Sequence, residues 1–273
     1  MSSSNKKSLN FTKNIDYISL LSVISAFAVV SLHTNGCFWE FSTKRYWLTA
    51  NILECLWYFA VPVFFMISGS TLIDFRKRYN LRTYFWKRIN KTVIPFIFWS
   101  LLGLVYKITI DHSIYIKDIN LLSLWNGIVG SEYIVIYWFF ISLFICYLCI
   151  PLFSAVPEGK RKDIFLYLIG LAFVCNSLAP FLIKIFCPAL KWPFHIDVMG
   201  GFLIYILLGY ILSRFDILSR YRYWIYIIGI IGLLAHIIGT YNLSIKAGEI
   251  IQTYKGYLLS VKFYSVGEFF QKQ

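Results

Sequence analysis

The sequence is poor in charged residues. Asp, Glu, Lys and Arg make up only 14% of its 273 residues, whereas a soluble domain has about 25%. Hydrophobic residues make up 59%, and the mean hydropathy is +0.66. This composition excludes an ordinary soluble domain and predicts an integral membrane protein.

Acidic residues are scarcer than basic ones. The chain has 13 acidic and 26 basic residues, which gives a net charge of +13. In a soluble protein this excess would suggest a nucleic-acid partner. Here the basic residues cluster in short segments between apolar runs, as they do in the cytoplasmic loops of membrane proteins. We therefore expect membrane lipid as a partner, and no nucleic acid.

The sequence also lacks the common short motifs of soluble enzymes. It has no P-loop, no G-x-G-x-x-G, no H-E-x-x-H and no G-x-S-x-G. Its six cysteines show no disulfide-framework spacing, and Cys146-x-x-Cys149 lies inside an apolar run with no second pair. We interpret that pair as packing groups and predict no metal ligand and no permanently bound cofactor.

Apolar runs long enough to cross a bilayer recur along the chain. With a window of about 19 residues, seven spans are predicted, at 15–33, 52–73, 92–110, 133–153, 164–183, 198–213 and 223–241. An eighth, weaker run at 257–270 is interrupted by Lys262 and Glu268. We predict an all-α, polytopic transmembrane helical bundle of seven to eight spans, without strands. Residues 1–14 should form an N-terminal arm, and residues 15–273 a single membrane domain.

The distribution of Lys and Arg predicts the orientation. Basic residues are concentrated in the N-terminal arm and in the segments 76–91, 160–162 and 214–222, which follow the second, fourth and sixth predicted spans. Such loops face the cytoplasm. The pattern predicts a multi-pass protein of the cell (plasma or inner) membrane with a cytoplasmic N-terminus. His33 then lies at the outer end of the first helix.

His33 is the first candidate functional residue, because an ionisable group at a span end is costly unless paired or wetted. Ser22 precedes it by eleven residues, on the same helical face and about 16 Å away; the alternative for Ser22 is small-residue helix packing. Glu54 begins the predicted second span on the same side. It could orient His33 or raise its basicity, and the alternative is a solvated interfacial carboxylate.

A second candidate site is the basic segment before the third span. Arg82, Lys87 and Lys91 fall near one helical face, and Arg88 adjoins it. Such a cluster can bind phosphates, Arg through a planar fork and Lys as a point charge. The alternative is that these charges set topology and contact anionic lipid headgroups.

Several ordered segments between residues 31 and 210 resemble one known family, the integral-membrane acyltransferase-3 family. They are Ser31-Leu32-His33-Thr34, residues 61–69 (VPVFFMISG), residues 88–99 (RINKTVIPFIFW), Tyr137-Trp-Phe139 with Tyr147 and Pro151, and residues 201–210 (GFLIYILLGY). Each segment alone is weakly specific, and their order and spacing make the resemblance.

The resemblance implies a function and roles for these residues. Members move an acyl group, usually acetyl from acetyl-CoA, to a sugar hydroxyl, and the relatives that come closest look like O-acetylases of cell-surface glycans. It implies that His33 is catalytic, as a general base or an acyl carrier, and Glu54 is its candidate partner from its position alone. The basic turn matching Arg88 and Lys91 would bind the CoA phosphates, and Arg82 is a donor-binding candidate because it belongs to the same cluster. The pantetheine arm would then pass Ser22 toward His33.

The chain departs from the family pattern in three places. Ser22 stands where members usually have arginine, Lys91 replaces the second arginine of R-x-x-R, and members usually have more spans. These departures leave open an inactive, truncated relative. A polytopic glycan transporter is another alternative, although the inverted repeats expected of many transporters are not visible. The acceptor is expected to be a carbohydrate or a lipid-linked sugar.

Overall fold

The computed structural model describes residues 2–186, 201–215 and 222–252. Within these ranges the chain is helical and contains no strand, which confirms the all-α prediction. The α-helices are α1 (Ser2–Thr34), α2 (Arg45–Trp57), α3 (Ala60–Leu72), α4 (Leu81–Arg88), α5 (Ile94–Thr109), α6 (Leu121–Val129), α7 (Trp138–Ala155), α8 (Glu158–Phe173), α9 (Ala179–Phe186), α10 (Leu203–Arg214) and α11 (Arg222–Ala247).

Among the described residues, five helical stretches are long and apolar enough to cross a membrane. They are Tyr17–Thr34, Arg45–Lys77, Leu81–Thr109, Val135–Ala155 and Tyr223–Ala247. They correspond to the first four predicted spans and the seventh. The fifth predicted span falls on helical residues 164–183, and the sixth on α10, which has only 12 residues.

Part of the span prediction falls outside the described residues, namely residues 198–200 of the sixth span and the weak run at 257–270. The count of seven to eight spans and the cytoplasmic N-terminus therefore stay predictions.

The described residues form two compact units. One contains the described parts of residues 1–71 and 158–273, and the other contains residues 72–157. The first unit includes α1, α2 and α8 to α11, and the second includes α4 to α7. This division does not test the prediction of a single membrane domain over residues 15–273, which stays a prediction.

Helix α1 is longer than the predicted first span. It begins at Ser2 and continues for 33 residues, so the predicted arm at 1–14 is helical from its second residue. It ends after His33 and Thr34, where the Asn35 N–H donates to the Leu32 carbonyl at 3.3 Å. This i→i−3 bond tightens the last turn, as is common at helix ends.

The second membrane helix begins at Arg45 rather than at residue 52, so the predicted start is corrected. Trp47 is fully buried in the first turn of α2. Its ring stacks on Phe38 with centroids 5.8 Å apart, and its Nε1 donates to the Phe38 carbonyl at 2.9 Å. These contacts hold the extra turns of helix in place. Glu54 consequently lies inside α2, not at its start.

Two glycines let α3 and α10 approach closely within the first unit. A Cβ added at Gly69 would lie within 2.8 Å of the Ile206 Cα, and one added at Gly209 would lie 2.5 Å from the Met66 Cα. Real Cβ atoms essentially never come closer than 3.0 Å to other atoms. Small residues at a helix crossing allow this backbone contact, so both positions require glycine.

In the described part of the chain, two π-helical turns interrupt the long helices, at Ile89–Val93 and at Val174–Leu178. Each ends two residues before a proline, Pro95 in one case and Pro180 in the other. Proline has no N–H to donate to residue i−4, and its ring clashes with that carbonyl. A wider π turn relieves both problems, so the prolines account for these turns.

Helix α6 was not predicted by the sequence analysis. It lies between the third and fourth predicted spans and has a reciprocal capping box between Asn120 and Ser123. Helix α6 also contacts Tyr133, whose hydroxyl donates to the carbonyl of Ser123 in the first turn at 3.1 Å. A Cβ at Gly127 would overlap the Tyr133 ring. Burial, with Glu132 as a smaller cause, raises the pKa of the Tyr133 phenol.

Candidate active site

His33 lies in the last turn of α1, and its side chain is exposed. None of the other described residues forms a hydrogen bond or ion pair with its ring. The imidazole is therefore open to a substrate, and its position is set by the backbone that carries it rather than by a side-chain partner.

Glu54 is buried and is bonded to a neighbour of His33. It is 5% exposed, and its Oε2 accepts a hydrogen bond from Asn35 Nδ2 at 3.1 Å. The alternative of a solvated interfacial carboxylate is therefore wrong. No hydrogen bond or ion pair joins Glu54 directly to His33, both of which are described. Asn35, which was not predicted as a site residue, connects the two: it lies two residues after His33 and bonds to Glu54.

Helix α11 supplies further buried polar groups next to α2. His236 is 3% exposed, and its ring meets the Tyr58 ring edge-on at 5.9 Å. Asn51 Nδ2 donates to the Ile237 carbonyl at 3.0 Å and so ties α2 to α11. The helix that carries Glu54 is therefore bonded both to Asn35 and to α11.

Two serines of α1 bond within their own helix. The Ser22 hydroxyl donates to the Ile18 carbonyl at 2.8 Å, and Ser31 donates to Phe27 at 3.0 Å. Such bonds are usual for serine within a helix, and they agree with the packing alternative for Ser22. A role of Ser22 in binding the acyl donor stays a prediction.

The basic segment of the second unit is helical throughout. Asn80 caps α4 by accepting a hydrogen bond from the Thr83 N–H at 2.9 Å. Arg82, Lys87 and Lys91 are exposed, and Lys87 Nζ lies 4.2 Å from the centroid of the Tyr79 ring. These three cations, predicted to share one face, are thus all available to an external anion.

Arg88 is half-buried and differs from its neighbours. Its guanidinium lies over the Tyr147 ring, 5.5 Å from the centroid. Its Nε is buried and has no hydrogen-bond partner among the described residues. A cation–π contact attracts the guanidinium to the face of the ring while leaving its N–H donors for a ligand. Arg88 is therefore a preorganised cation.

A proline in α7 leaves the Tyr147 carbonyl free to bond to α4. Pro151, within α7, cannot donate to the Tyr147 carbonyl four residues earlier. The buried Tyr84 hydroxyl of α4 donates to that carbonyl instead, at 3.0 Å. Arg76 Nη2 lies 3.5 Å from the Pro151 carbonyl. The proline thus creates an acceptor that joins α7 to the helix bearing Arg88.

The structure assigns the predicted site residues to the two units. His33, Glu54 and Ser22 belong to the first unit, and within it only His33 and Glu54 are linked, through the neighbouring Asn35. Arg82, Arg88 and Lys91 belong to the second unit. No group of three or more His, Cys, Asp or Glu side chains in the described residues could hold a metal ion.

These features define a multi-span helical membrane protein with an open histidine at a helix end and a cationic helix. The family is identified by comparing the whole chain with family models. It matches the acyltransferase-3 family model, described as an acyltransferase domain, over residues 15–269, and it therefore belongs to that family. No curated protein and no solved structure matches the chain significantly.

Proposed function

We propose that this membrane acyltransferase moves an acetyl group from acetyl-CoA to a hydroxyl of a carbohydrate or lipid-linked sugar. The family match over residues 15–269 carries the acyltransferase activity. The choice of acetyl-CoA and of a sugar acceptor rests on the resemblance of the ordered segments to O-acetylases of cell-surface glycans. The protein would act in the cell (plasma or inner) membrane, with its N-terminus in the cytoplasm.

The proposed chemistry needs one base, which His33 supplies. A neutral imidazole accepts the proton of the acceptor hydroxyl as its oxygen attacks the thioester carbonyl. The carbon–sulfur bond breaks, and the CoA thiolate takes the proton back from the imidazolium. The products are an ester and free CoA thiol. The exposed, unpartnered ring of His33 supports this role, because nothing in the described residues occupies it.

The cationic helix of the second unit is suited to the phosphates of CoA. Arg82 and Lys91 are exposed, and Arg88 is oriented by the Tyr147 ring with an unsatisfied buried Nε. A guanidinium with free donors binds phosphate oxygens by charge-assisted hydrogen bonds. Lys91 contributes a point charge in place of the second fork that R-x-x-R would provide.

Radiolabelled acetyl-CoA tests the proposal directly. Membranes from cells that express the protein are incubated with acetyl-CoA that carries a radiolabel in its acetyl group. The label is then measured in the carbohydrate fraction. We expect incorporation that depends on the protein and is released by mild alkali, as an O-acetyl ester is. Label that appears only in protein or lipid amines would contradict a sugar hydroxyl as acceptor.

A further inference from the structure

Asn35 uses both hydrogens of its side-chain amide to bind α2. The residue is 6% exposed and follows directly after α1. Its Nδ2 donates to the Ala50 carbonyl at 2.9 Å and to Glu54 Oε2 at 3.1 Å. A primary amide has two N–H donors, and both are used here on one neighbouring helix.

The remaining polar groups of Asn35 are bonded as well. Its N–H donates to the Leu32 carbonyl at 3.3 Å, and its carbonyl accepts from the Phe38 N–H at 3.1 Å. Its Oδ1 accepts a weak hydrogen bond from Cys37 Sγ at 3.7 Å. One residue therefore joins the end of α1, the 3-10 turn at Gly36–Trp39 and the interior of α2.

This arrangement contrasts with the freedom of His33 two residues earlier. The imidazole is exposed and has no partner among the described residues, and helix ends open more readily than helix interiors. A buried carboxylate such as Glu54 is costly unless hydrogen-bonded, so the Asn35 amide and Glu54 stabilise each other. The bond fixes the last turn of α1 where it carries the imidazole.

We infer that Asn35 and Glu54 are positioning residues for His33, acting through their mutual hydrogen bond and the bond to the Ala50 carbonyl. The inference rests on the proposed function of His33. It replaces a direct contact between Glu54 and the imidazole by an indirect one, in which Glu54 serves as a hydrogen-bond acceptor.

Steady-state kinetics separate the acceptor role of Glu54 from a role of its charge. Asn35→Ala should lower kcat on the order of a hundredfold, because displacing a catalytic group by about 1 Å costs that much, and should leave the KM for acetyl-CoA within about twofold. Glu54→Gln keeps an oxygen acceptor and should retain kcat within about threefold. Glu54→Gln as inactive as His33→Ala would overturn the inference, because the charge would then be essential.

A rescue experiment addresses the hydrogen bond itself. Asn35→Asp keeps the size of the side chain but sets a second carboxylate against Glu54, and should lose kcat as Asn35→Ala does. Adding Glu54→Gln to Asn35→Asp restores a donor–acceptor pair and should recover part of the lost kcat. Since Asn35→Ala removes the amide donor from Glu54, the double variant Asn35→Ala/Glu54→Ala is compared with the two single variants Asn35→Ala and Glu54→Ala. The losses in kcat of the two single variants should be non-additive. Additive losses would contradict the pairing.

Hydrogen–deuterium exchange of the substrate-free protein gives a readout that does not depend on activity. Asn35→Ala should speed exchange of the amides of residues 32–39 by about tenfold or more. The matched control is Ser31→Ala, whose hydroxyl bonds only within α1 among the described residues, and it should change nothing. Unchanged exchange in Asn35→Ala would overturn the positioning role. Transfer that survives in His33→Ala would instead overturn the catalytic role of His33, whereas the exchange rates would still show whether Asn35 holds the last turn of α1.

Discussion

Replacing Gly209 by alanine should destabilise the first unit strongly, because the added methyl group has no space. A Cβ at this position would lie 2.5 Å from the Met66 Cα, and ordinary contact begins at 3.4 Å. The helices α3 and α10 would have to separate by at least 3.4 − 2.5 = 0.9 Å. The obstacle is backbone rather than a flexible side-chain end, so the helices must move as a whole.

We expect Gly209→Ala to lower the free energy of unfolding by about 3 kcal/mol, the upper part of the usual range for overpacking. The matched control is Gly170→Ala in α8, where a Cβ meets no atom within 4 Å. That variant should be neutral, or stabilised by up to about 1 kcal/mol through helix propensity. Both are compared with the wild type by SDS-induced unfolding in mixed micelles, followed by far-UV circular dichroism.

Unfolding free energies of Gly209→Ala and Gly170→Ala within about 0.5 kcal/mol of each other, the usual scale of a neutral surface substitution, would contradict a close contact between α3 and α10. Gly69→Ala is the reciprocal test, because its Cβ would meet the Ile206 backbone. Both substitutions demand the same separation of α3 from α10, so their combined effect should be less than the sum.

Three further predictions concern the second unit and the orientation of the chain. Arg88→Ala should raise the KM for acetyl-CoA about tenfold or more with little change in kcat, because a charge-assisted phosphate contact is lost. Tyr84→Phe should cost about 1–2 kcal/mol of unfolding free energy, because the Tyr147 carbonyl loses its donor. In intact cells an impermeant maleimide should label the exposed Cys37 but reach Leu81→Cys only after permeabilisation.

Each of these predictions has a control and a contrary result. Arg88→Lys keeps the positive charge but loses the planar guanidinium fork, and its KM for acetyl-CoA should be intermediate. An unchanged KM in Arg88→Ala would mean that the basic cluster serves topology alone. Tyr106→Phe, at an exposed tyrosine of α5, should be neutral, and equal losses in the two tyrosine variants would argue against the carbonyl bond. Cys37→Ser should reduce the outside labelling. The sequence also has Cys187 between two predicted spans on the same side, so labelling of Leu81→Cys in sealed cells, in a Cys37→Ser/Cys187→Ser background, would reverse the orientation.

Apolar run length predicted the five long membrane helices because a lipid-spanning helix needs many consecutive apolar residues. The start of α2 was missed because Arg45 and the polar residues after it end an apolar window, whereas burial of Trp47 against Phe38 extends the helix. The π turns could have been expected from Pro95 and Pro180, since each proline removes a backbone donor.

The candidate site was predicted in its residue types but not in its contacts. His33 and Arg88 were identified from their place at helix ends and from the family resemblance. The bond between Asn35 and Glu54 joins residues 19 apart, and the bond from Tyr84 to the Tyr147 carbonyl spans 63. No local pattern specifies such pairs, although Pro151 in α7 was a signal that a carbonyl would need another donor.

The most direct test of the account compares wild-type protein with His33→Ala in the transfer of labelled acetyl from acetyl-CoA to carbohydrate. The substitution removes the proposed base at an exposed position, so protein levels and membrane insertion should not change. Incorporation should fall to the level of membranes without the protein. Incorporation by His33→Ala at the wild-type rate would contradict the assignment of this imidazole as the catalytic group.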